Sequence, residues 1–379
     1  MWNPGVLVLL AVFATALFGC IVLVMTQRWH GWLSLDHDLS GIQKIHLSPV
    51  PRVGGIAVFS ALLVGGLGAL WIDEPLAPQI LGLLFCSLPA FLAGLVEDLT
   101  KRVGVRTRLC ASFVSAALAI WFLDASLTRL DTPGLNFLIA LTPIAVLFTC
   151  FAVGGLTNAV NIVDGINGLA AGSVMLMLGG LGMLAWFSHD RLVLELCMLG
   201  IAALAGFIVL NFPRGKIFLG DGGAYLAGFW LAECAVLLLA RQPQVSTWAV
   251  LLVGFYPVCE TIFSMFRRHV IWRTSSGQAD QTHLHHVLLR FVHGRKLSEL
   301  RASWRSHALV SLLLWSLVLV CQILVVLAYP SNSLMATGVF CFGATYAWLY
   351  WLVTPRKNAP GAMPVPHRDP AGNGEGRTA

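Results

Sequence analysis

The chain has 379 residues, of which 57% are hydrophobic and only 11% charged. A soluble domain carries about 25% charged residues, so a water-solvated globule is excluded and lipid must cover most of the surface. The nine cysteines all fall inside apolar runs and form no CxxC pair, which excludes a cysteine-based metal or disulfide framework.

At about 20 apolar residues per span, eleven spans are predicted in chain order. They lie near 5–26, 53–72, 76–96, 109–123, 135–153, 169–187, 192–211, 223–240, 246–266, 307–328 and 334–353. The first has no positive region before it and no small-residue cleavage pattern after it, so it reads as a span and not as a cleaved signal. Segment 109–123 is the shortest. The uncharged stretch 306–354 is too long for one helix, and Tyr329-Pro330-Ser331-Asn332-Ser333 divides it. Beyond 354 the chain is rich in Pro, Gly and charge. The expectation is an all-α integral membrane bundle of about 10–11 transmembrane helices, one catalytic domain over 1–354, and a disordered cytoplasmic tail over 355–379.

With eleven spans the connecting loops alternate between two ends. One end holds only Arg129, Arg191 and Arg241; the other holds the remaining 21 of the 24 Lys and Arg residues. Short loops rich in Lys and Arg stay in the cytoplasm, which puts the N-terminus outside. An even number of spans would scramble this partition.

Five polar segments fall on the cytoplasmic end. They are Lys44-Ile45-His46 with Pro51-Arg52-Val53-Gly54-Gly55; Glu97-Asp98 with Lys101, Arg102, Arg106 and Arg108; 158–168, containing Asn158, Asn161, Asp164 and Asn167; 216–223, containing Phe218 and Asp221; and 280–286, containing His283, His285 and His286. Asp98, Asp164 and Asp221 sit at span edges, where carboxylates are costly and usually functional. Hard oxygen ligands on separate helix ends suit Mg²⁺, which takes one or two carboxylates plus substrate phosphates. The surrounding basic side chains suit phosphate, and Arg binds it bidentately. Glycines beside Asp164 and Asp221 allow close backbone approach. Together these features read as a metal–diphosphate site at the membrane surface.

Plainer readings exist for each piece. Glu97 could be a helix cap or topology marker, the glycines of 220–223 a tight turn, and the basic loops a consequence of sidedness alone. The three histidines could bind zinc, but no Cys or well-spaced acid completes a tetrahedral set. Glu260 adjoins the basic loop and could hold a helix in place, whereas Glu195 and Glu233 suggest no role. These readings fail jointly, because five independent polar motifs on one face are not expected of structural punctuation.

The motif order from Lys44 to His286 resembles the polyprenyl-phosphate N-acetylhexosamine-1-phosphate transferases, glycosyltransferase family 4. The most specific matches are Asn158-x-x-Asn161-x-x-Asp164-Gly165-x-Asn167-Gly168, Phe218-x-Gly220-Asp221-x-Gly223, and Asp280-x-x-His283-Leu284-His285-His286. The last is closer to the branch that initiates cell-envelope glycans than to the peptidoglycan branch. The resemblance implies Mg²⁺ (or Mn²⁺) at Asp221 and Asn161, with Asp98, Glu97 and Asp164 as catalytic acids. It implies substrate contacts from Lys44, His46, Arg52, Arg108, Asn158, Asn167, Phe218, His283, His285 and His286. Phe218 matches an aromatic that stacks on uracil, Asn167 a uracil hydrogen-bonding position, and the histidines the loop at the sugar-phosphate end. Glu97 stands where the family usually has Asp, Asn167 replaces an acid common in bacterial members, and Ala224 stands where Ser is frequent.

The implied reaction moves N-acetylhexosamine-1-phosphate from a UDP-sugar to a polyprenyl (undecaprenyl) phosphate in the bacterial inner membrane, releasing UMP. The implied partners are UDP-N-acetylhexosamine, polyprenyl phosphate and membrane lipid; a homodimer is left open, and no nucleic acid is expected. A secondary transporter is the rival class, but it would place its charges near the midplane between repeats. A non-enzymatic scaffold would tolerate loss of Asp98 and Asp221.

Overall fold

The computed structural model describes residues 3–34, 50–132, 134–272, 282–293 and 304–354. It is built from helices α1 (Pro4–Met25), α2 (Gln27–Ser34), α3 (Gly54–Trp71), α4 (Ala77–Cys86), α5 (Leu88–Thr100), α6 (Val105–Leu123), α7 (Asn136–Ile139) and α8 (Thr142–Val163). There follow α9 (Leu169–Phe187), α10 (Arg191–Asn211), α11 (Gly220–Arg241), α12 (Thr247–Val253), α13 (Phe255–Phe266), a π-helical turn (Arg267–Trp272), α14 (Leu284–His293), α15 (Trp304–Ala328) and α16 (Asn332–Val353). Among the described residues nine helices are long and apolar enough to cross a membrane, and counting each of two bent pairs as one span raises this to eleven. The all-α polytopic expectation therefore holds. Helices suit lipid because every interior backbone group is satisfied within its own segment.

Three segments differ from expectation. The span expected at 76–96 is α4 and α5, bent by 44°. At the break the Ser87 amide donates to Leu83 O at 3.0 Å and its hydroxyl to Leu84 O at 2.6 Å, while Pro89 has no amide to continue the ladder. The span expected at 246–266 is α12 and α13, bent by 77° across Gly254. The span expected at 135–153 is shifted: the short helix α7 takes up 136–139, and Pro143 sits in the first turn of the longer α8. Proline is pre-organised for that position. Asn158 and Asn161 consequently ride on the last turns of α8 instead of on a loop.

Helix α11 is the central post, buried along nearly its whole length and packed by α3, α5, α8 and α9. Small residues bring it close to its neighbours, as is usual where lipid supplies no hydrophobic drive between helices. A Cβ on Gly55 of α3 would lie 2.4 Å from the Gly223 amide nitrogen, so the two backbones touch.

The end that carries Arg129, Arg191 and Arg241 is closed by ion pairs. Arg129 binds both oxygens of Asp131 at 2.7 and 2.8 Å and donates to Gln242 O and Val245 O. Arg241 Nε donates to Asp190 at 2.7 Å, and Arg191 bridges Glu74 and Glu195. Burial alone would raise the Asp131 carboxyl, but the Thr247 amide and Arg129 outweigh it and hold the pKa below the usual value.

Candidate active site

The opposite end gathers the predicted residues around the first turn of α11. Residues 51–55 and 218–219 zip together: the Phe218 amide donates to Pro51 O at 2.8 Å, Gly54 N to Phe218 O at 3.0 Å, and Gly55 N to Leu219 O at 2.9 Å. This places Arg52 beside Asp221. Gly220, with φ +76°, makes the turn into α11, and a Cβ there would lie 2.2 Å from Arg52 O and 2.5 Å from Asp98 Oδ2. Only glycine fits.

Asp98 is almost fully buried on α5. Its Oδ1 accepts from the Asp221 amide and its Oδ2 from the Gly222 amide, both at 2.9 Å. A carboxylate at a helix N-terminus satisfies orphan amides and complements the helix dipole. Asp98 therefore fixes the turn that carries Asp221. The Asp221 carboxylate in turn pairs through Oδ2 with Arg108 Nη1 and through Oδ1 with Arg52 Nη2 at 3.5 Å. Arg52 Nε also lies 3.9 Å from Asp98 Oδ1.

Asp164 caps the C-terminal end of α8 and is partly buried. Burial pushes its pKa up to about 7, and the Arg52 charge opposes the rise. One guanidinium thus influences three carboxyls. Asn158 joins the cluster one step out: Tyr225 donates its hydroxyl to Asn158 Oδ1 at 2.9 Å, and the Arg108 guanidinium lies over the Tyr225 ring at 5.7 Å. Asn161 follows one turn later on α8 and is half-buried.

Asn167 lies on a second flank, against the 211–217 connection. Its Nδ2 donates to Pro213 O at 2.9 Å, while its Oδ1 is buried without a hydrogen-bond partner. Asn211 holds the two segments of this flank together, accepting from Gly168 N at 2.6 Å and donating to Ile217 O at 2.7 Å. Phe218 is half-buried beside it.

The histidines form a third flank. His283 and His285 lie parallel with centroids 5.7 Å apart, and His285 and His286 are 4.2 Å apart. A Cβ on Gly165 would meet His285 Nε2 at 2.3 Å, so this glycine admits the ring against the Asp164 loop. His285 is fully buried, and neither ring nitrogen has a hydrogen-bond partner. Burial, together with the neighbouring His286, His283 and His307, pushes its pKa well below the usual value, so it is neutral at physiological pH.

Glu97 points elsewhere: its Oε2 accepts from Val103 N at 2.7 Å and closes the turn after α5. Lys44 and His46 lie outside the described residues, as does the tail over 355–379. Sequence reasoning missed Tyr225 and Asn211. Tyr225 stands four residues after Asp221, on the same helical face, which was an available signal; Asn211 is a lone polar residue closing a span and offered none.

Among the described residues no three His, Cys, Asp or Glu side chains converge into a metal cage. That is compatible with Mg²⁺, which uses one or two protein carboxylates and completes its shell with phosphate and water. The Asp221 carboxylate and the Asn161 amide oxygen supply hard donors of the right kind.

An all-helical membrane bundle with arginine-ringed carboxylates at one end defines an integral membrane enzyme that handles phosphate. A sequence model of glycosyl transferase family 4 matches residues 80–239. The undecaprenyl-phosphate alpha-N-acetylglucosaminyl 1-phosphate transferase of Thermotoga maritima is 32% identical over 259 residues, covering 67% of this chain and 73% of the relative. The probable undecaprenyl-phosphate N-acetylglucosaminyl 1-phosphate transferase of Bacillus subtilis is 25% identical over 267 residues, 69% and 72% of the two chains. The decaprenyl-phosphate N-acetylglucosaminephosphotransferase of Mycobacterium tuberculosis is 28% identical over 289 residues, 67% and 69%. The chain belongs to glycosyl transferase family 4.

Proposed function

We propose that this protein transfers N-acetylhexosamine-1-phosphate from a UDP-sugar to a polyprenyl phosphate in the bacterial inner membrane, starting a lipid-linked envelope glycan. An acceptor phosphate oxygen attacks the β-phosphorus of the donor, the α–β bridging bond breaks, and UMP leaves with its electron pair. The observation that carries this reading is Asp221, held on the first turn of the central helix by Asp98 and flanked by Arg52 and Arg108.

Phosphoryl transfer needs mainly positioning and charge stabilisation. Mg²⁺ held by Asp221 and Asn161 would supply Lewis-acid neutralisation of the diphosphate. Arg52 and Arg108 offer guanidinium forks to phosphate oxygens. A phosphate monoester has a second pKa of about 6, so the acceptor is already largely dianionic and needs no strong base. Asp98, with both oxygens engaged by backbone amides, therefore serves as a positioning residue. Glu97 shapes the loop after α5. Asp164, whose raised pKa the Arg52 charge opposes, holds its proton more firmly when phosphates draw Arg52 away. Phe218 and Asn167 face the nucleoside end, and His283, His285 and His286 the sugar-phosphate end.

The test incubates purified protein with polyprenyl phosphate and a panel of radiolabelled UDP-sugars, with and without EDTA. Lipid-linked label with matching UMP release, lost in EDTA and restored by Mg²⁺, is expected. Sugar uptake into vesicles without UMP release would instead support a transporter.

A further inference from the structure

Glu260 lies on α13, outside every motif that the reaction uses, and is fully buried. Its Oε1 accepts from His283 Nδ1 at 2.9 Å and from the Leu284 amide at 3.1 Å; its Oε2 accepts from the same amide at 3.3 Å. Leu284 opens α14, so one carboxylate both caps that helix and grips the first histidine of the cluster. An ionised carboxylate only accepts. The bond therefore requires the His283 proton on Nδ1 and directs Nε2 away from Glu260.

A second brace acts on the preceding residue. Arg267, buried at the start of the π-helical turn, donates from Nη1 to Thr282 O at 2.7 Å and to Tyr350 Oη at 2.9 Å. Thr282, His283 and Leu284 are thus gripped from α13 on one side and, through Tyr350, from α16 on the other. The His283 ring, fixed in this way, lies parallel to His285, which in turn sits against Gly165 beside Asp164.

We propose that Glu260 is a positioning residue: it sets the tautomer and orientation of His283 and, through the ring stack, holds His285 against the Asp164–Gly165 turn. This rests on the reading that the histidines meet the donor's sugar-phosphate. A carboxylate that orients a working imidazole is a recurrent device.

The experiment uses full-length protein in lipid nanodiscs with ¹⁵N-labelled histidine. The His283 signals are identified by their loss in His283→Gln. In the wild type at mildly alkaline pH they should report a protonated Nδ1 and an unprotonated Nε2. Glu260→Ala should release the ring to the Nε2-protonated tautomer and lower transfer on the order of 10–100-fold. Glu260→Gln, whose amide oxygen still accepts from both donors, should keep the tautomer and restore transfer to within a few-fold of wild type. If Glu260→Ala does not fold, Glu260→Asp takes its place, because the shorter side chain cannot span the gap to Nδ1. An unchanged tautomer in Glu260→Ala or Glu260→Asp overturns the proposal, as does a folded Glu260→Gln no more active than those variants. A wild type that transfers nothing while its tautomer still answers to Glu260 would remove the proposed reaction and leave the positioning intact.

Discussion

The two ends of the bundle use the same chemistry, arginine against carboxylate, to opposite effect. At the end away from the site, Arg129 grips Asp131, Arg241 grips Asp190, and Arg191 lies between Glu74 and Glu195. Arg129 holds both oxygens of a near neighbour in sequence, while Arg241 and Arg191 tie segments 51 and 117 residues apart. At the site end one guanidinium, Arg52, lies beside Asp98 and Asp221 and acts electrostatically on Asp164. Buried polar atoms without hydrogen-bond partners occur at both ends, Arg129 Nε and Glu74 Oε1 at one, Asn167 Oδ1 and the His285 ring nitrogens at the other. Paired charge stabilises a fold, whereas one guanidinium spread over three carboxyls leaves charge that an anionic ligand can engage.

This contrast can be broken by substitution. The largest effect is expected for Asp221→Ala, which should cut transfer by about 10²–10³-fold while thermal unfolding in detergent stays close to wild type. Substantial residual turnover at saturating Mg²⁺ would remove Asp221 from the metal site. Gly165→Ala follows: the new methyl displaces the His285 ring, and misplacement by about 1 Å can cost on the order of 10²-fold. Full activity in that variant would separate the histidines from the reaction.

The two ends should also answer pH in opposite directions. The folded-state pKa of Asp164 is raised to about 7 from 3.8, so its contribution to stability is complete below about 4 and is lost as pH rises towards 7. Asp164→Asn should therefore melt higher than wild type above pH 7, by roughly 2–4 °C, and the difference should vanish in acid. The folded pKa of Asp131 is depressed, so its contribution is present above the unfolded value and is lost as pH falls through the folded one. Asp131→Asn should cost about 1–2 kcal/mol near neutrality, fade to no difference in acid, and leave transfer untouched; reduced transfer would link the two ends. Arg191→Ala should do least, below about 1 kcal/mol, because its side chain is 65% exposed and screened by solvent.

The eleven apolar segments were legible because a span must be long and apolar whatever its neighbours. The bends at Ser87 and Gly254 were not, since a hydropathy window averages over a break of one residue. The shift of α8 escaped for a related reason: residues 135–141 are as apolar as a span, and only Pro143 marks where the helix begins. The polar motifs were equally plain in sequence, yet the function of Asp98 was not. Its partners, the Asp221 and Gly222 amides, lie more than a hundred residues away, and no local pattern announces such a bond. Glu260 was legible as an acid beside a basic loop, while its grip on His283 needed the fold.

The capped start of α11 has a consequence for how phosphate is met. Exposed amides at a helix N-terminus are a ready anion receptor, the device on which glycine-rich nucleotide loops depend. Here the receptor is plugged by the protein's own Asp98 side chain. On the proposed reaction, an incoming diphosphate finds these two amides already occupied and meets the Arg52 and Arg108 side chains instead. A plug of this kind lets the enzyme release a charged product that a naked helix end would retain.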